Sequence, residues 1–166
     1  MAKLYVTGYP WHVTYLWLAA TDEGLAAIEF ERTCSFAAFK SSFEHEVCQG
    51  YNGILRGAIA QLDGYFRGNV QDLDMPVIFL RGSEFQRSVW QRVRAIPYGR
   101  TKTYGEIARE LGVPAAVRAV GAANGANPLP IVIPCHRVLR ADGGLGGYSG
   151  GLEIKDALLR LEGAIL

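Results

Sequence analysis

The chain has 166 residues, of which 49% are hydrophobic and 20% charged, a composition that excludes a disordered protein and indicates a globular one. The formal net charge of +1 neither indicates nor excludes a nucleic-acid partner, and no apolar run is long enough to span a membrane. The three widely spaced cysteines, an odd number, argue against a disulfide framework and favour a reducing, cytoplasmic location.

The first part of the chain predicts a small antiparallel sheet. Three β-type runs are separated by turn residues, at Tyr9-Pro10 and around Gly24. The runs cover residues 3–9, 12–20 and 24–30. The stretch before Ala20 has some features of a signal peptide, but Pro10 interrupts it and it alternates like a strand, so we expect it in the mature protein.

Helical patterns follow the predicted sheet. Residues 35–46 and 53–67 predict two helices, the second with an apolar face of Ile54, Ala58, Leu62 and Tyr65. Residues 75–80 predict one more extended segment. Arg81-Gly82 indicates a domain boundary, because the pattern becomes helical directly after it. We therefore expect an α/β domain over 1–82 and a second, mostly helical domain over 83–166.

Charge is distributed unevenly between these two domains. Residues 1–82 carry a net −3 and residues 83–166 a net +4. A basic second half favours an anionic partner there, although ordinary scatter explains a difference of this size equally well.

Two capping boxes open helices in the second domain, one from Ser83 to Gln86 and one from Thr103 to Glu106. The second helix runs to Leu111, Gly112 ends it, and Pro114 predicts the first turn of a further helix that reaches about Asn124. Two short helices joined by a glycine-containing turn predict a helix-turn-helix.

The second helix of this motif carries small side chains and a single charge, Arg118. A helix that reads bases in the major groove needs Arg, Asn, Gln or Glu on its exposed face, and this one has almost none. Small side chains allow close approach to a narrow groove without reading sequence, and Arg118 then resembles a wedge. A tightly packed buried helix is the alternative.

Cys135 follows a run, residues 130–133, with three β-branched residues after Pro130, which predicts a short buried strand ended by Pro134. His136 and Arg137 come directly after the cysteine, and either cation can favour the nucleophilic thiolate. The alternative is a small buried hydrophobe without reactivity.

The remaining elements surround this cysteine in sequence. Asn127 is expected to bond to backbone groups of its turn and to brace the helix-turn-helix against the cysteine strand. Residues 145–151 form a glycine-rich loop whose Tyr148 is suited to stacking on a flat ligand. A last helix is predicted from Leu152 to Leu161, with buried Ile154, Leu158 and Leu161.

Residues 133–138, Ile-Pro-Cys-His-Arg-Val, resemble the acceptor motif of the 6-O-methylguanine-DNA methyltransferases. Four further segments resemble the family pattern in order and spacing: residues 118–121, 127–128, 148–151 and 162–163. The resemblance is strong over about residues 83–163, while the first 80 residues match in length and rough strand order. It implies an α+β protein with a ribonuclease H-like N-terminal domain and a winged-helix-like C-terminal domain.

The resemblance implies a DNA repair protein that acts once. Cys135 would take the alkyl group from the oxygen of 6-O-alkylguanine, and more weakly of 4-O-alkylthymine, and keep it as a thioether. His136 would remove the thiol proton through a water, Glu162 would orient His136, and Tyr104 would protonate the leaving guanine.

The resemblance also implies how double-stranded DNA is bound. The helix-turn-helix would enter the minor groove with little sequence preference, and the alkylated base would be flipped out of the stack. Arg118 would fill the gap, with Tyr104, Ala119, Ala122 and Ala123 also at the DNA. The base pocket would comprise Tyr148, Ser149, Val138, Asn127 and Lys155. We expect a monomer without a cofactor, at the nucleoid in a prokaryote or in the nucleus of a eukaryote.

The sequence does not favour a metal site or either of two competing functions. His12, Cys34, His45 and Cys48 do not have the spacing of a recognised zinc site, so no metal is predicted. A cysteine hydrolase is a competing function, although its histidine is normally distant from the cysteine in sequence. A DNA-binding regulator is another, although its recognition helix should carry base-reading side chains.

Overall fold

The computed structural model describes residues 2–12 and 14–166, and the chain divides into two units, Met1–Leu80 and Arg81–Leu166. This division lies two residues before the boundary expected from the sequence. Val13, inside the predicted run 12–20, lies outside the described residues. In the described part of the chain, no helix is both long and apolar enough to cross a membrane.

The first unit contains the predicted antiparallel meander, made of β1 (Lys3–Trp11), β2 (Thr14–Ala20) and β3 (Leu25–Phe30). The expected turn at Tyr9-Pro10 is wrong, because β1 continues to Trp11 and pairs Pro10 with Tyr15. Pro10 has no N–H to donate to a neighbouring strand. It is tolerated because the strand on the other side of β1 pairs only with Lys3–Val6, so no hydrogen bond of the sheet needs a donor at Pro10.

A fourth strand, β4 (Glu46–Gln49), was not predicted and pairs in parallel with β1, giving the sheet order β3-β2-β1-β4. The predicted helix over 35–46 is therefore too long. The helix α1 covers only Phe36–Ser41, and its last turn closes where the Ser42 side chain donates to the Phe39 carbonyl at 2.7 Å. Val47 of β4 packs against the core formed by Leu4, Val6, Trp17, Ala19 and Phe39.

The helix α2 (Gly53–Phe66) packs on the sheet through Leu55, Ala58, Leu62 and Tyr65, all fully buried. Ile54, predicted for this face, is only partly buried. The extended segment at 75–80 is confirmed at Val77, which bridges to Leu25 and lengthens the sheet edge. Because α2 packs on the sheet, the first unit is a layered α/β fold.

The second unit begins with α3 (Glu84–Arg94), which buries Val89, Trp90 and Val93. Ser83 and Gln86 form the complete predicted capping box at its start. A second complete box, Thr103 with Glu106, opens α4 (Tyr104–Glu110) after the short strand β5 (Lys102–Thr103). Each box satisfies two helix N–H groups and so fixes where its helix begins.

The helix α5 (Val117–Gly125) is the second helix of the predicted helix-turn-helix, but it begins three residues after Pro114. The preceding turn is closed by a hydrogen bond from the Ala116 N–H to the Val113 carbonyl at 2.8 Å. Pro114 therefore belongs to the turn rather than to the first turn of the helix, and no side chain caps α5.

The stretch before Cys135 is buried as predicted, but it is not a strand. Ile131 has a φ of +76°, a conformation that a β-branched residue rarely adopts and that breaks an extended run. Cys135–Arg137 form one turn of 3-10 helix, and β6 (Val138–Leu139) follows, in parallel with β5. A positive φ four residues before the cysteine stores strain of about 1–3 kcal/mol, the kind found at functional sites.

The last helix, α6, has the predicted bounds Leu152–Leu161 but a different buried face. Lys155, Leu158 and Leu159 are buried, whereas Ile154 is only partly buried and Leu161 is exposed. Leu158 is thus buried as predicted, while Ile154 and Leu161 are not, because Lys155 takes the buried position next to Ile154.

Candidate active site

Cys135 lies at the start of the 3-10 turn and is only 5% exposed. Burial raises the pKa of its thiol to about 11, while a hydrogen bond from Asn127 and the charge of Lys155 act in the opposite direction. At neutral pH the sulfur is therefore a thiol, and it needs a base before it can act as a nucleophile.

His136, the residue after the cysteine, pairs with a carboxylate from the end of the chain: its Nε2 lies 2.7 Å from Oε2 of Glu162, and both side chains are fully buried. Burial lowers the pKa of His136 more than Glu162 raises it, so the imidazole is neutral at pH 7. Because Nε2 donates to the carboxylate, the lone pair is on Nδ1, a buried atom without a hydrogen-bond partner among the described residues. Nδ1 is thus free to accept a proton.

Arg137 does not serve the role expected of it. Its guanidinium donates from Nε to Oε1 of Glu162 at 2.8 Å, from Nη2 to Oε2 at 2.9 Å, and from Nη1 to the Ile96 carbonyl at 2.6 Å. The Gly99 N–H also donates to Oε1 of Glu162, at 3.3 Å. Arg137 therefore fixes Glu162 in place and neutralises its charge instead of acting on the thiol.

A cavity of about 210 Å³ opens in front of the sulfur. Its walls come from α4, α5, the 3-10 turn and the glycine-rich loop. The lining residues are Tyr104, Gly121, Asn124, Gly125, Cys135, Gly147, Tyr148 and Ser149. The helix-turn-helix and the cysteine thus line one cavity.

Tyr104 is the first residue of α4 and is closely packed between two glycines. A Cβ on Gly121 would lie 3.8 Å from the ring, and one on Gly146 would lie 2.8 Å from the hydroxyl oxygen. Burial raises the pKa of Tyr104, the charge of Cys135 adds to this, and a hydrogen bond with Asn124 opposes it. The phenol therefore remains protonated at neutral pH and is able to donate a proton.

Of the five residues predicted for the pocket, Tyr148 and Ser149 line the cavity. The other three, Val138, Asn127 and Lys155, are not among the described residues that line the cavity. They support the segments that do line it. Asn127 donates to the Ile133 carbonyl at 2.8 Å and accepts from the Leu129 N–H at 2.9 Å, which holds the turn before Cys135.

Lys155 is fully buried and ties the glycine-rich loop to β6. Its ammonium donates to the carbonyls of Val138 at 2.8 Å, of Gly147 at 3.3 Å, and of Leu145. Burial lowers its pKa to about 8, so it is largely charged at neutral pH, and the cost of burying the charge is offset by three charge-assisted hydrogen bonds.

The exposed face of α5 carries three of the residues predicted to meet DNA. Arg118, Ala119 and Ala122 are exposed, whereas the Ala123 side chain is buried and its carbonyl accepts the Trp90 indole N–H at 2.7 Å. Ala123 therefore packs α5 onto α3 and is not on the exposed face. Val117, which the sequence did not single out, extends this face at 41% exposure.

The roles of two site residues were not predicted from the sequence. Arg137 was read as a cation beside the thiol, and nothing in the sequence shows that it reaches Glu162, 25 residues later. Asn124 lines the cavity but lies near the end of a small-residue helix that gives no signal for it. The described residues contain no group of three or more His, Cys, Asp or Glu side chains that could hold a metal ion.

Models of two protein domains match the chain. The 6-O-methylguanine DNA methyltransferase DNA-binding domain matches residues 84–164, and the ribonuclease-like domain of the same family matches residues 4–79.

Curated relatives carry the name methylated-DNA–protein-cysteine methyltransferase. One from Mycolicibacterium paratuberculosis is 57% identical over 106 residues, and this match spans 64% of each chain. One from Methanosarcina acetivorans is 45% identical over 89% of this chain and 90% of its own. One from Salmonella typhimurium is 43% identical over 91% of both chains.

Solved structures give the same picture. An O6-methylguanine methyltransferase of Mycobacterium tuberculosis has a TM-score of 0.83 at 37% identity, covering 97% of this chain and 93% of its own. The M. tuberculosis OGT in complex with DNA has a TM-score of 0.82 at 39% identity, covering 98% and 93%.

Proposed function

The chain belongs to the 6-O-methylguanine DNA methyltransferase family, and we propose that it repairs alkylated DNA by moving the alkyl group onto its own Cys135. The observation that carries the proposal is the placement of Cys135 in a cavity lined by both helices of the helix-turn-helix. The substrate is 6-O-alkylguanine in duplex DNA, with 4-O-alkylthymine a poorer one.

The reaction begins with proton removal. The Cys135 thiol gives its proton, through a water, to Nδ1 of His136, and the resulting imidazolium is stabilised by Glu162, which the Arg137 guanidinium holds in place. The raised thiol pKa supports the need for this step, since at neutral pH little thiolate is present without it.

Transfer follows in one displacement. The Cys135 thiolate forms an S–C bond to the alkyl carbon as the bond from that carbon to the guanine oxygen breaks. The electron pair of the broken bond stays on guanine, and the Tyr104 hydroxyl supplies the proton that neutralises it. The thioether has no route back to a thiol, so each molecule acts once.

DNA binding is assigned to the exposed face of α5, which we propose enters the minor groove. Its small side chains support close approach, and its lack of base-reading groups supports binding without a preferred sequence. Arg118 occupies the space that the flipped base leaves, and Tyr148 with Ser149 holds that base in the cavity. The protein acts as a monomer. Its location is that of the DNA, which is the cytoplasm in a prokaryote and the nucleus in a eukaryote.

Mass spectrometry of the protein after incubation with 6-O-methylguanine DNA tests the reaction. We expect one methyl group per molecule, on the Cys135 peptide, and none in the Cys135→Ser variant. Repeated turnover would favour a hydrolase instead. A methyl group on Cys34 or Cys48 would refute the assignment of the acceptor.

The Arg118→Ala variant tests the base-flipping role separately. It should slow repair of duplex DNA much more than reaction with free 6-O-alkylguanine, because the free base needs no extrusion. Equal losses on the two substrates would remove this role from Arg118. Binding should weaken with salt and show no preferred site in a selection experiment.

A further inference from the structure

Asn124 places a buried amide in the wall of the cavity in front of Cys135. It is the penultimate residue of α5, is only 5% exposed, and lines the cavity together with Tyr148 and Ser149. Burying an amide costs free energy unless hydrogen bonds replace those it makes with water. The partners of its nitrogen and of its oxygen therefore indicate what the side chain does.

The nitrogen of this amide is held by the backbone of the nucleophile. Nδ2 of Asn124 donates to the Cys135 carbonyl oxygen at 3.3 Å, and because a carbonyl needs a donor, this bond fixes which end of the amide carries the NH₂ group. The same carbonyl accepts from the Val138 N–H within the 3-10 turn. The amide is thus oriented by the turn that also places the sulfur.

The oxygen of the amide, Oδ1, is buried and has no hydrogen-bond partner among the described residues. Asn127 is a useful contrast, because its Nδ2 donates to the Ile133 carbonyl at 2.8 Å and its Oδ1 accepts from the Leu129 N–H at 2.9 Å. Both ends of Asn127 are therefore satisfied within the fold. A buried acceptor that is left unsatisfied at the wall of a cavity needs another explanation, and a donor on the molecule that enters the cavity supplies one.

The two proposed substrates differ in what they offer to such an acceptor. An alkyl group on the 6-oxygen removes the N1 hydrogen of guanine, and the 2-amino group remains as the N–H donor of the base. An alkyl group on the 4-oxygen removes the N3 hydrogen of thymine, which then has no N–H at all. A site built to hydrogen-bond an N–H group disfavours an analogue without it, since its buried acceptor then stays unpaired.

We propose that Asn124 is a specificity-determining residue, whose Oδ1 accepts a hydrogen bond from the 2-amino group of the flipped guanine and so favours 6-O-alkylguanine over 4-O-alkylthymine. The inference rests on the proposed function and names the contact by which that site recognises its base. One end of the Asn124 amide then binds the backbone of Cys135 and the other end binds the substrate, which fixes the base relative to the nucleophile.

The first test removes the donor from the substrate. DNA with 6-O-methylguanine is compared with DNA that carries 6-O-methylhypoxanthine, the same base without the 2-amino group. Under single-turnover conditions with limiting DNA, we expect the wild type to prefer 6-O-methylguanine about 10-fold, as the loss of one hydrogen bond to a buried acceptor predicts. In Asn124→Leu, which keeps the size of the side chain and loses the acceptor, this preference should fall to about 1.

The preference is a ratio of two rates, so a general loss of activity in Asn124→Leu cancels, as does any difference between the two DNAs in base extrusion. Asn127→Leu is the matched control, because it also removes an amide near Cys135, but one whose oxygen is already satisfied. It should slow both substrates by the same factor and keep the preference. A wild type without preference, or a preference that survives in Asn124→Leu, would overturn the proposal.

The second test measures binding without chemistry and without a change at Asn124. In ¹⁵N-labelled Cys135→Ser protein, the Asn124 side-chain amide is assigned through the backbone and followed while a nucleoside is added. We expect 6-O-methyl-2′-deoxyguanosine to shift this signal and to bind about 10-fold more tightly than 6-O-methyl-2′-deoxyinosine, which lacks the amino group. Equal binding of the two nucleosides, or binding of neither, would overturn the proposal. If the wild type transfers no methyl group from any DNA, the proposed function is refuted, and this measurement still decides what Asn124 recognises.

Discussion

Arg137 donates two parallel hydrogen bonds to Glu162, from Nε to Oε1 at 2.8 Å and from Nη2 to Oε2 at 2.9 Å. Both side chains are almost completely buried. The same carboxylate accepts from Nε2 of His136. An unpaired carboxylate would be costly here, so the arginine is what allows Glu162 to remain charged and to orient the base.

Replacing Arg137 by Met should destabilise the protein by about 3–5 kcal/mol, because it leaves a buried carboxylate without its main partner. Urea unfolding followed by fluorescence measures this loss. Arg160→Met is the matched control, since Arg160 also pairs with a carboxylate, Asp156, but in an exposed position where an ion pair contributes little. Similar losses in the two variants would mean that burial does not decide the strength of the Arg137 pair.

The sequence predicted much of this site because local rules govern its parts. Both capping boxes, the helix-turn-helix and the bounds of α6 follow from signals within a few residues of each other. The resemblance supplied the pairing of His136 with Glu162, which no local pattern contains.

Failures of prediction occurred where distant groups decide the structure. Arg137 was one of two neighbouring cations able to favour the Cys135 thiolate, yet it pairs with Glu162, which is buried with it. Residues 130–133 have the composition of a strand, but the φ of +76° at Ile131, which packing must impose, prevents one. Lys155 was expected in the base pocket, yet its ammonium donates to three backbone carbonyls and does not line the cavity among the described residues.

Alkylation of Cys135 by iodoacetamide should increase steeply between pH 8 and pH 11. Only the thiolate reacts, and with a pKa of about 11 the thiolate fraction is about 0.1% at pH 8 and grows tenfold with each pH unit. Mass spectrometry of the Cys135 peptide after a short pulse at each pH gives the rate. A rate that levels off near pH 8 would show that the thiol is already ionised without help from His136.

Lys155 should make the stability of the protein depend on pH above about 8. Its pKa is lowered from 10.5 to about 8 in the folded protein, so between these values the unfolded chain holds more protons, and the Lys155 contribution to the free energy of unfolding increases as pH rises. The free energy of unfolding of the wild type minus that of Lys155→Met should therefore increase by up to about 3 kcal/mol from pH 7.5 to pH 10.5. The subtraction removes all other titrating groups, and parallel stability curves would mean that the pKa of Lys155 is not lowered.

Two glycines, Gly143 in the turn after Arg140 and Gly146 in the glycine-rich loop, allow the effect of backbone strain to be separated from that of steric contact with Tyr104. Gly143 and Gly146 have similar positive φ values, +84° and +72°, so an alanine at either costs about 1–2 kcal/mol of backbone strain. A Cβ on Gly143 would meet nothing within 4 Å, whereas one on Gly146 would lie 2.8 Å from the Tyr104 hydroxyl oxygen.

Gly146→Ala should therefore slow methyl transfer about 100-fold by displacing the proton donor, while Gly143→Ala leaves the rate close to that of the wild type. Single-turnover transfer to Cys135 measures both, with thermal unfolding to check that the two variants lose similar stability. If both variants slowed transfer equally, the strain of the loop would be responsible, and the close approach of Gly146 to Tyr104 would have no part in the reaction.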